Sequence, residues 1–305
     1  QQFDVPQTHG AGVAETQSES GVPLWEELMN CLIEVLVDVP VLEFTHALHL
    51  ECLNTLLILL SIQMFQPGSA SQSHIYTSLM QGKCAIHACV FMRTLLQNYM
   101  KQEKSPAELL QNGVGEHGRL YGLTAAVASG LWTVLTLGMS TKGERVEQYI
   151  SDTLLADQSL LLILILANHC TTETGGLQNP YRQALFSFTN SQDSADSSPM
   201  AAVATFKVDF TQLYDVLCQT LKGDETTLLL YLLMHKNQSV KSFILSRTNI
   251  DQLVMPLLRI LYHAQERNSH HIYMALIVLL ILSEDDCFNK AVHEMVLKSV
   301  PWFKE

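Results

Sequence analysis

The sequence predicts an all-α protein, an irregular armadillo- or HEAT-like stack of helical hairpins with the character of an α-solenoid. Three observations lead there. Apolar residues make up 48% of the chain and charged residues only 16%, so core formers are plentiful and solvated surface is scarce. Gly (15) and Pro (9) are sparse over 305 residues, too few for the turns of a β-rich fold. Apolar positions recur at the spacing of helix faces, and no alternating stretch is long enough to claim a strand.

Residues 1–20 form a polar leader rich in Gly, Ser, Thr and Gln, and residues 21–305 read as a single helical domain. Pro23 suits the first position of a helix that runs to about Asp38 and ends before Pro40. A longer apolar helix follows from about Glu43 to Phe65, then a Pro/Gly/Ser break over Pro67–Ser73. Further helices are predicted over Cys84–Met100, Leu120–Leu137 and Asp152–Cys170, with flexible polar loops near 101–118 and 138–151. Asn179-Pro180 joins a capping residue to a helix-starting proline, which predicts a helix over Tyr181–Phe188. The Ser- and Asp-rich stretch 190–205 is the interior segment least suited to ordering.

From Asp209 onward the pattern is dense. Asp209 is placed to cap Phe210–Leu221, and Asp224 to open Thr226–Met234, with His235-Lys236 in the last turn. A short helix follows over Val240–Arg247, and Asn249 with Gln252 has the spacing of a capping box. The helix it starts sets Ile250, Leu253, Val254, Leu257, Leu258 and Leu261 on one stripe, with Pro256 expected to kink it. Ile272–Leu282 is apolar all round and is expected to be enclosed on every side. Ser283 with Asp286 reads as the cap of a last helix whose stripe is Phe288, Ala291, Val292, Met295 and Val296. Striped and enclosed helices in alternation are what stacked hairpins need, since each unit leans its apolar face on the next.

Composition weighs against several functions. Net charge is −12, with 18 basic residues against 30 acidic ones, the reverse of what a phosphate-neutralising nucleic-acid binder carries. The seven cysteines are odd in number and make no CxxC pair, a usage that suits a reducing compartment. Asn237-Gln238-Ser239 fits the glycosylation sequon, a match expected by chance in a chain this long. Apolar runs at Leu56–Leu60, Leu160–Ala167 and Ile272–Leu282 all fall short of the roughly 20 residues that a spanning helix needs. No transmembrane span is expected.

No motif assembles a catalytic, metal or cofactor site. Gly113-Val114-Gly115-Glu116-His117-Gly118 spells GxGxxG but lacks the preceding strand that cradles phosphate. His293-Glu294 begins like a zincin, yet Leu297 stands where the second histidine belongs. Gly138-Met139-Ser140-Thr141-Lys142-Gly143 misses the nucleophile-elbow spacing and follows a helix. His270-His271 offers two imidazoles, but neighbouring helical side chains diverge and no Cys or carboxylate has ligand spacing to them. Glu284-Asp285-Asp286 sits in a first helical turn, where acids complement the dipole. The polar insert Arg267–His271 between apolar helices is the candidate binding surface, with capping and turning as its alternative role.

Several tracts resemble the dymeclin family. They are Leu120-Tyr121-Gly122-Leu123, Gly130-Leu131-Trp132-Thr133-Val134 through Gly138, the run Asn179–Phe188, Thr227–Tyr231, and the long stretch Ile244–Ser283. Asn179–Phe188 and Glu266–His271 carry the resemblance best, because their residues are polar and mixed. It implies a non-enzymatic helical scaffold, peripheral at the cytoplasmic side of the Golgi, serving that organelle's organisation and vesicle traffic through contacts with other proteins. It implies no cofactor. The family's reversible membrane attachment uses a myristoylated amino-terminal glycine, which maps onto no residue of a sequence beginning Gln1-Gln2-Phe3. Both ends read as cuts within a longer protein, so the last helices are expected to present an uncapped apolar face. A generic armadillo-like adaptor unrelated to the Golgi, or a helical-repeat nucleic-acid binder, is the alternative.

Overall fold

The computed structural model describes residues 23–61, 73–106, 152–168, 178–192, 206–297, 299–300 and 302–303. The leader 1–20, the helix predicted over Leu120–Leu137, the GxGxxG tract, the Gly138–Gly143 tract and most of 190–205 lie outside them. Helices dominate the described residues, so the all-α class holds.

The amino-terminal half is built from α1 (Leu24–Asp38), α2 (His46–Ser61), α3 (His74–Gln81), α4 (Lys83–Ile86) and α5 (Ala88–Lys101). Pro23 precedes α1 as its cap rather than serving as its first residue, and Met29, Ile33 and Leu36 turn into the core. The turn to α2 is tied by Thr45, whose hydroxyl accepts from the Leu42 amide (2.8 Å) and donates to Pro40 O (2.7 Å). The single helix expected over Cys84–Met100 is broken, and α3 ahead of it was not foreseen. The break falls at His87, between α4 and α5, while Gly82 separates α3 from α4: a Cβ there would lie 2.5 Å from Glu26 Oε1 and 2.6 Å from Ser78 O. Glu26 of α1 fills that space, accepting from Ser78 Oγ (3.0 Å) and the Lys83 amide (3.2 Å). Helix α5 closes on Gln102 in the left-handed region (φ 47°), with its amide donating to Tyr99 O at 2.7 Å.

Helix α6 (Leu154–Asn168) is the centre of the described core. Every residue from Leu160 to Ala167 is buried, which needs neighbours on all faces: α2, α5, the following helix α7 (Pro180–Ser187), and α9 (Asp224–Lys236) supply them. The strand-free expectation needs one correction. Thr189–Asn190 (β1) and Lys207–Val208 (β2) form a two-residue parallel bridge, Thr189 opposite Lys207 and Asn190 opposite Val208. A pairing that short carries no readable alternation.

The carboxy-terminal half contains α8 (Phe210–Thr220), α9, α10 (Gln238–Leu245), α11 (Asp251–Tyr262), α12 (Ser269–Ser283) and α13 (Asp286–Glu294). Asp209 caps α8 as predicted, accepting from the Thr211 (2.9 Å) and Gln212 (3.2 Å) amides. The Asn249–Gln252 pair is bonded side chain to side chain (2.9 Å), but Ile250 holds the cap position of α11 without a side-chain bond. Helix α11 runs on through Pro256, its stripe burying Leu253, Val254 and Leu257 while Leu258 is 40% exposed. The last helix is capped by Asp285, which accepts from the Phe288 amide (2.8 Å), while Ser283 bonds back to Leu280 O (2.8 Å). Its predicted stripe fails: α13 ends at Glu294, and Phe288 is its buried residue.

The expectation of full enclosure for Ile272–Leu282 is overturned. Helix α12 buries Met274, Ala275, Val278, Ile281 and Leu282 against α9 and α11, but Tyr273, Leu276 and Leu280 stand 65%, 50% and 61% exposed. An all-apolar helix carries no marker of which face is left without a neighbour. Val296 (89%) and Leu297 (44%) extend the exposed apolar surface beyond α13.

Candidate functional site

Two polar tracts interrupt the apolar helices, and the structure gives both a job between helix ends. In the first, Asn179 accepts from the Arg182 amide (2.9 Å), which caps α7, and donates to Leu166 O (2.7 Å). Arg182 reaches Ala167 O (3.1 Å), so two residues close the last carbonyls of α6 as well as opening α7. Tyr181 donates to Cys84 O at 3.2 Å, linking this junction to α4. Burial, with the Cys84 thiol beside it, raises the Tyr181 phenol far above its ordinary value.

The second tract is the predicted candidate surface. Arg267, Asn268 and Ser269 are exposed, but His270 and His271 turn inward at the start of α12. Both meet Asp224, the first residue of α9. His270 Nε2 lies 2.8 Å from Asp224 Oδ2, and His271 Nδ1 lies 2.7 Å from Oδ1. Asn268 donates to Oδ2 at 3.1 Å, and His271 Nε2 is 2.9 Å from Thr227 Oγ1. Burial alone would push the Asp224 carboxyl up; the close approach of His271, the Asn268 amide and His270 outweigh it and hold the group below its ordinary value. At the next residue, burial lifts the Glu225 carboxyl, against its own backbone amide and with help from Asp224 and Asp157.

Hydroxyl, imidazole and carboxylate stand here in the order of a nucleophile, base and orienting group. The surroundings rule that use out at this place. Thr227 and His271 are both 0% exposed, and the Thr227 hydroxyl is bonded to Gly223 O (3.0 Å) within its own helix. A nucleophile needs room for a substrate beside it. Asp224 instead clamps the start of α9 to the start of α12. Sequence reasoning assigned Asp224 only to helix opening, because a partner 46 residues away from His270 leaves no local signal. His270 and His271 share one carboxylate; among the described residues no group of three or more metal-ligating side chains is assembled.

The remaining singled-out residues have structural employment too. Asn237 of the sequon is 2% exposed, caps α10 through the Val240 amide (3.1 Å), and donates to Phe188 O (3.1 Å). No glycan fits there in the folded protein. His293 lies in the last turn of α13, exposed, and Glu284 pairs with Lys241 at 3.7 Å. On α2, His46 and His49 are 1% and 0% exposed, and burial depresses both imidazoles, opposed by Glu103 at His46 and by the Val39 carbonyl at His49. No described helix is long and apolar enough to cross a membrane.

The family model described as "Dymeclin: Dyggve-Melchior-Clausen syndrome protein" matches residues 1–305. The chain belongs to the dymeclin family. Similar relatives named dymeclin come from Gallus gallus, 45% identical over 92% of this chain, and Xenopus laevis, 44% identical over 92%. The dymeclin of Drosophila melanogaster is 39% identical over 92%. This dymeclin-family chain spans about 42% of the length of the two vertebrate relatives. No solved structure matches it significantly. The two tracts that carried the dymeclin resemblance, Asn179–Phe188 and Glu266–His271, are the two polar junctions just described.

Proposed function

We propose that this chain is a non-enzymatic helical scaffold that makes protein contacts in Golgi organisation and vesicle traffic, peripheral at the cytoplasmic side of that membrane. Its hairpins act as an armadillo- or HEAT-like stack, each leaning on the next. The observation that supports the reading most is the outer face of α12. Tyr273, Leu276 and Leu280 lie bare at i, i+3 and i+7 on a well-packed helix. An exposed apolar face of this kind is built to be covered, by further helices of the longer protein or by a partner, and both are protein contacts. The polar clusters, which a catalyst would present to solvent, are sealed between helix ends instead.

Proximity labelling with the full-length protein fused to a biotin ligase tests the reading. Labelled proteins enriched in cytoplasm-facing Golgi and vesicle components are the expected result. Enrichment elsewhere in the cell would leave an adaptor unrelated to the Golgi, and enrichment of nucleic-acid-bound proteins would refute the scaffold reading.

A further inference from the structure

A cleft of about 290 Å³ opens where α8, α11 and the terminal segment meet. Its walls are Leu221, Met255, Pro256, Ile260 and Trp302, with the Cys218 thiol beneath. Three cations, Lys222, Arg259 and Arg267, border it, all exposed, in a chain whose net charge is −12. Among the described residues none of the three is in an ion pair. Arg267 is tied to this edge by a bond from Nη1 to Lys222 O (3.4 Å).

We propose that this cleft binds an acidic peptide segment, with one bulky apolar side chain in the pocket and flanking carboxylates on Lys222, Arg259 and Arg267. The inference deepens the scaffold reading and rests on it. At about 290 Å³ the cleft has room for one large apolar side chain. Chemistry selects the flanks, since Arg receives a carboxylate with two parallel hydrogen bonds and stacks on apolar surface. At physiological salt charges more than about 8 Å away are largely screened, so a short segment seated at the cleft responds mainly to Lys222, Arg259 and Arg267. A polynucleotide would carry its further phosphates beyond these three cations, onto a chain whose net charge is −12. Exposed cations over an apolar floor therefore fit a peptide better than a phosphate chain.

The test is fluorescence anisotropy of a labelled peptide, three acidic residues on either side of one Phe, titrated with the full-length protein. Saturable binding is expected, weakening as salt rises, and at least tenfold weaker when the Phe is replaced by Ser. Arg259→Glu with Arg267→Glu should lower affinity at least tenfold. Lys236→Glu, an exposed cation at the end of α9, should change it less than twofold. Met255→Trp, which fills the floor, should also abolish binding. Circular dichroism confirms folding of each variant. Absence of saturable binding, equal weakening by Lys236→Glu, or displacement by a single-stranded RNA oligomer of matched charge as effectively as by unlabelled peptide overturns the assignment. If the peptide fails while proximity labelling still marks Golgi proteins, the cleft alone falls. If the peptide binds while labelling does not, the Golgi reading falls and the cleft stands.

Discussion

Replacing Asp224 by Ala should loosen the junction between α9 and α12 more than any other single polar substitution in this half of the chain. The substitution removes the common acceptor of His270 Nε2 (2.8 Å), His271 Nδ1 (2.7 Å) and Asn268 Nδ2 (3.1 Å). His271 is 0% exposed and His270 7%, so two of the three donors lose their partner out of reach of water. A stranded buried donor costs about 1–3 kcal/mol, and a hydrogen bond to a charged carboxylate is itself worth about 1.5–3 kcal/mol. An acid in the first turn of a helix adds roughly 0.3–1 kcal/mol more. The expected loss is therefore about 3–5 kcal/mol at neutral pH, because the terms overlap. Urea unfolding followed by circular dichroism measures the total, and hydrogen exchange at the first turns of α9 and α12 localises it. Adding His271→Ala to Asp224→Ala should cost less than the two separate losses combined, since each removes the other's unpaired partner. A loss under about 1 kcal/mol, or strict additivity, would refute the clamp. The pH dependence has a definite sign. The Asp224 carboxyl is held below its ordinary value of 3.8 in the fold, so on acidification the unfolded chain takes up this proton first. Its contribution is complete above that ordinary value and fades as pH falls through the depressed folded one. The difference between wild type and Asp224→Ala should shrink below about pH 4.

Other substitutions probe the remaining features. His46 is 1% exposed with neither ring nitrogen bonded, and burial depresses it from 6.5, so the unfolded state gains the proton first as pH falls below 6.5. His46→Leu should raise neutral-pH stability by about 1–3 kcal/mol and flatten the decline below pH 6.5, read from thermal melts across pH, with Glu103, Lys101 and His49 as the neighbouring charges to hold constant. Asn237→Ala removes the α10 cap and the bond to Phe188 O, an expected loss of about 2 kcal/mol by chemical denaturation, and the wild-type chain passed through a glycosylating host should show no added mass at Asn237. Leu164→Ala, at 0% exposure in α6, should cost about 2–5 kcal/mol in the same assay, whereas Leu280→Ala, 61% exposed, should stay within about 0.5 kcal/mol.

Helix class and order were legible because local rules operate within a few residues. The caps at Asn179 and Asp209, the stripe Leu253–Val254–Leu257 and the polar punctuation between helices all follow from contacts short in sequence. What failed to be legible is long-range. Gly82 carries no signal of its role until Glu26 arrives from α1, 52 residues from the Ser78 it also bonds. Asp224 reads as a helix opener until two histidines reach it from α12. Leu160–Ala167 and Ile272–Leu282 have the same all-round apolar text, yet the first is surrounded and the second keeps Tyr273, Leu276 and Leu280 outside.

That last contrast bears directly on function. Burial of an apolar side chain is driven by removal from water, which any neighbour accomplishes, whether it belongs to this hairpin or to a separate partner. Composition records how much apolar surface a helix must cover, not who covers it. In α6 the cover is internal and complete; in α12 the inner face packs on α9 and α11 while the outer face stays bare. The histidine clamp makes the difference functional in mechanical terms. With α12 fixed at its first turn through Asp224, its outward residues hold one orientation, and Arg267, just ahead of the clamp, is held at the cationic cleft. A surface kept rigid before contact loses less freedom on binding than one that must first be ordered. In the proposed scaffold, the buried polar seam, which has the parts of a catalytic relay, would act by holding the contact surfaces still.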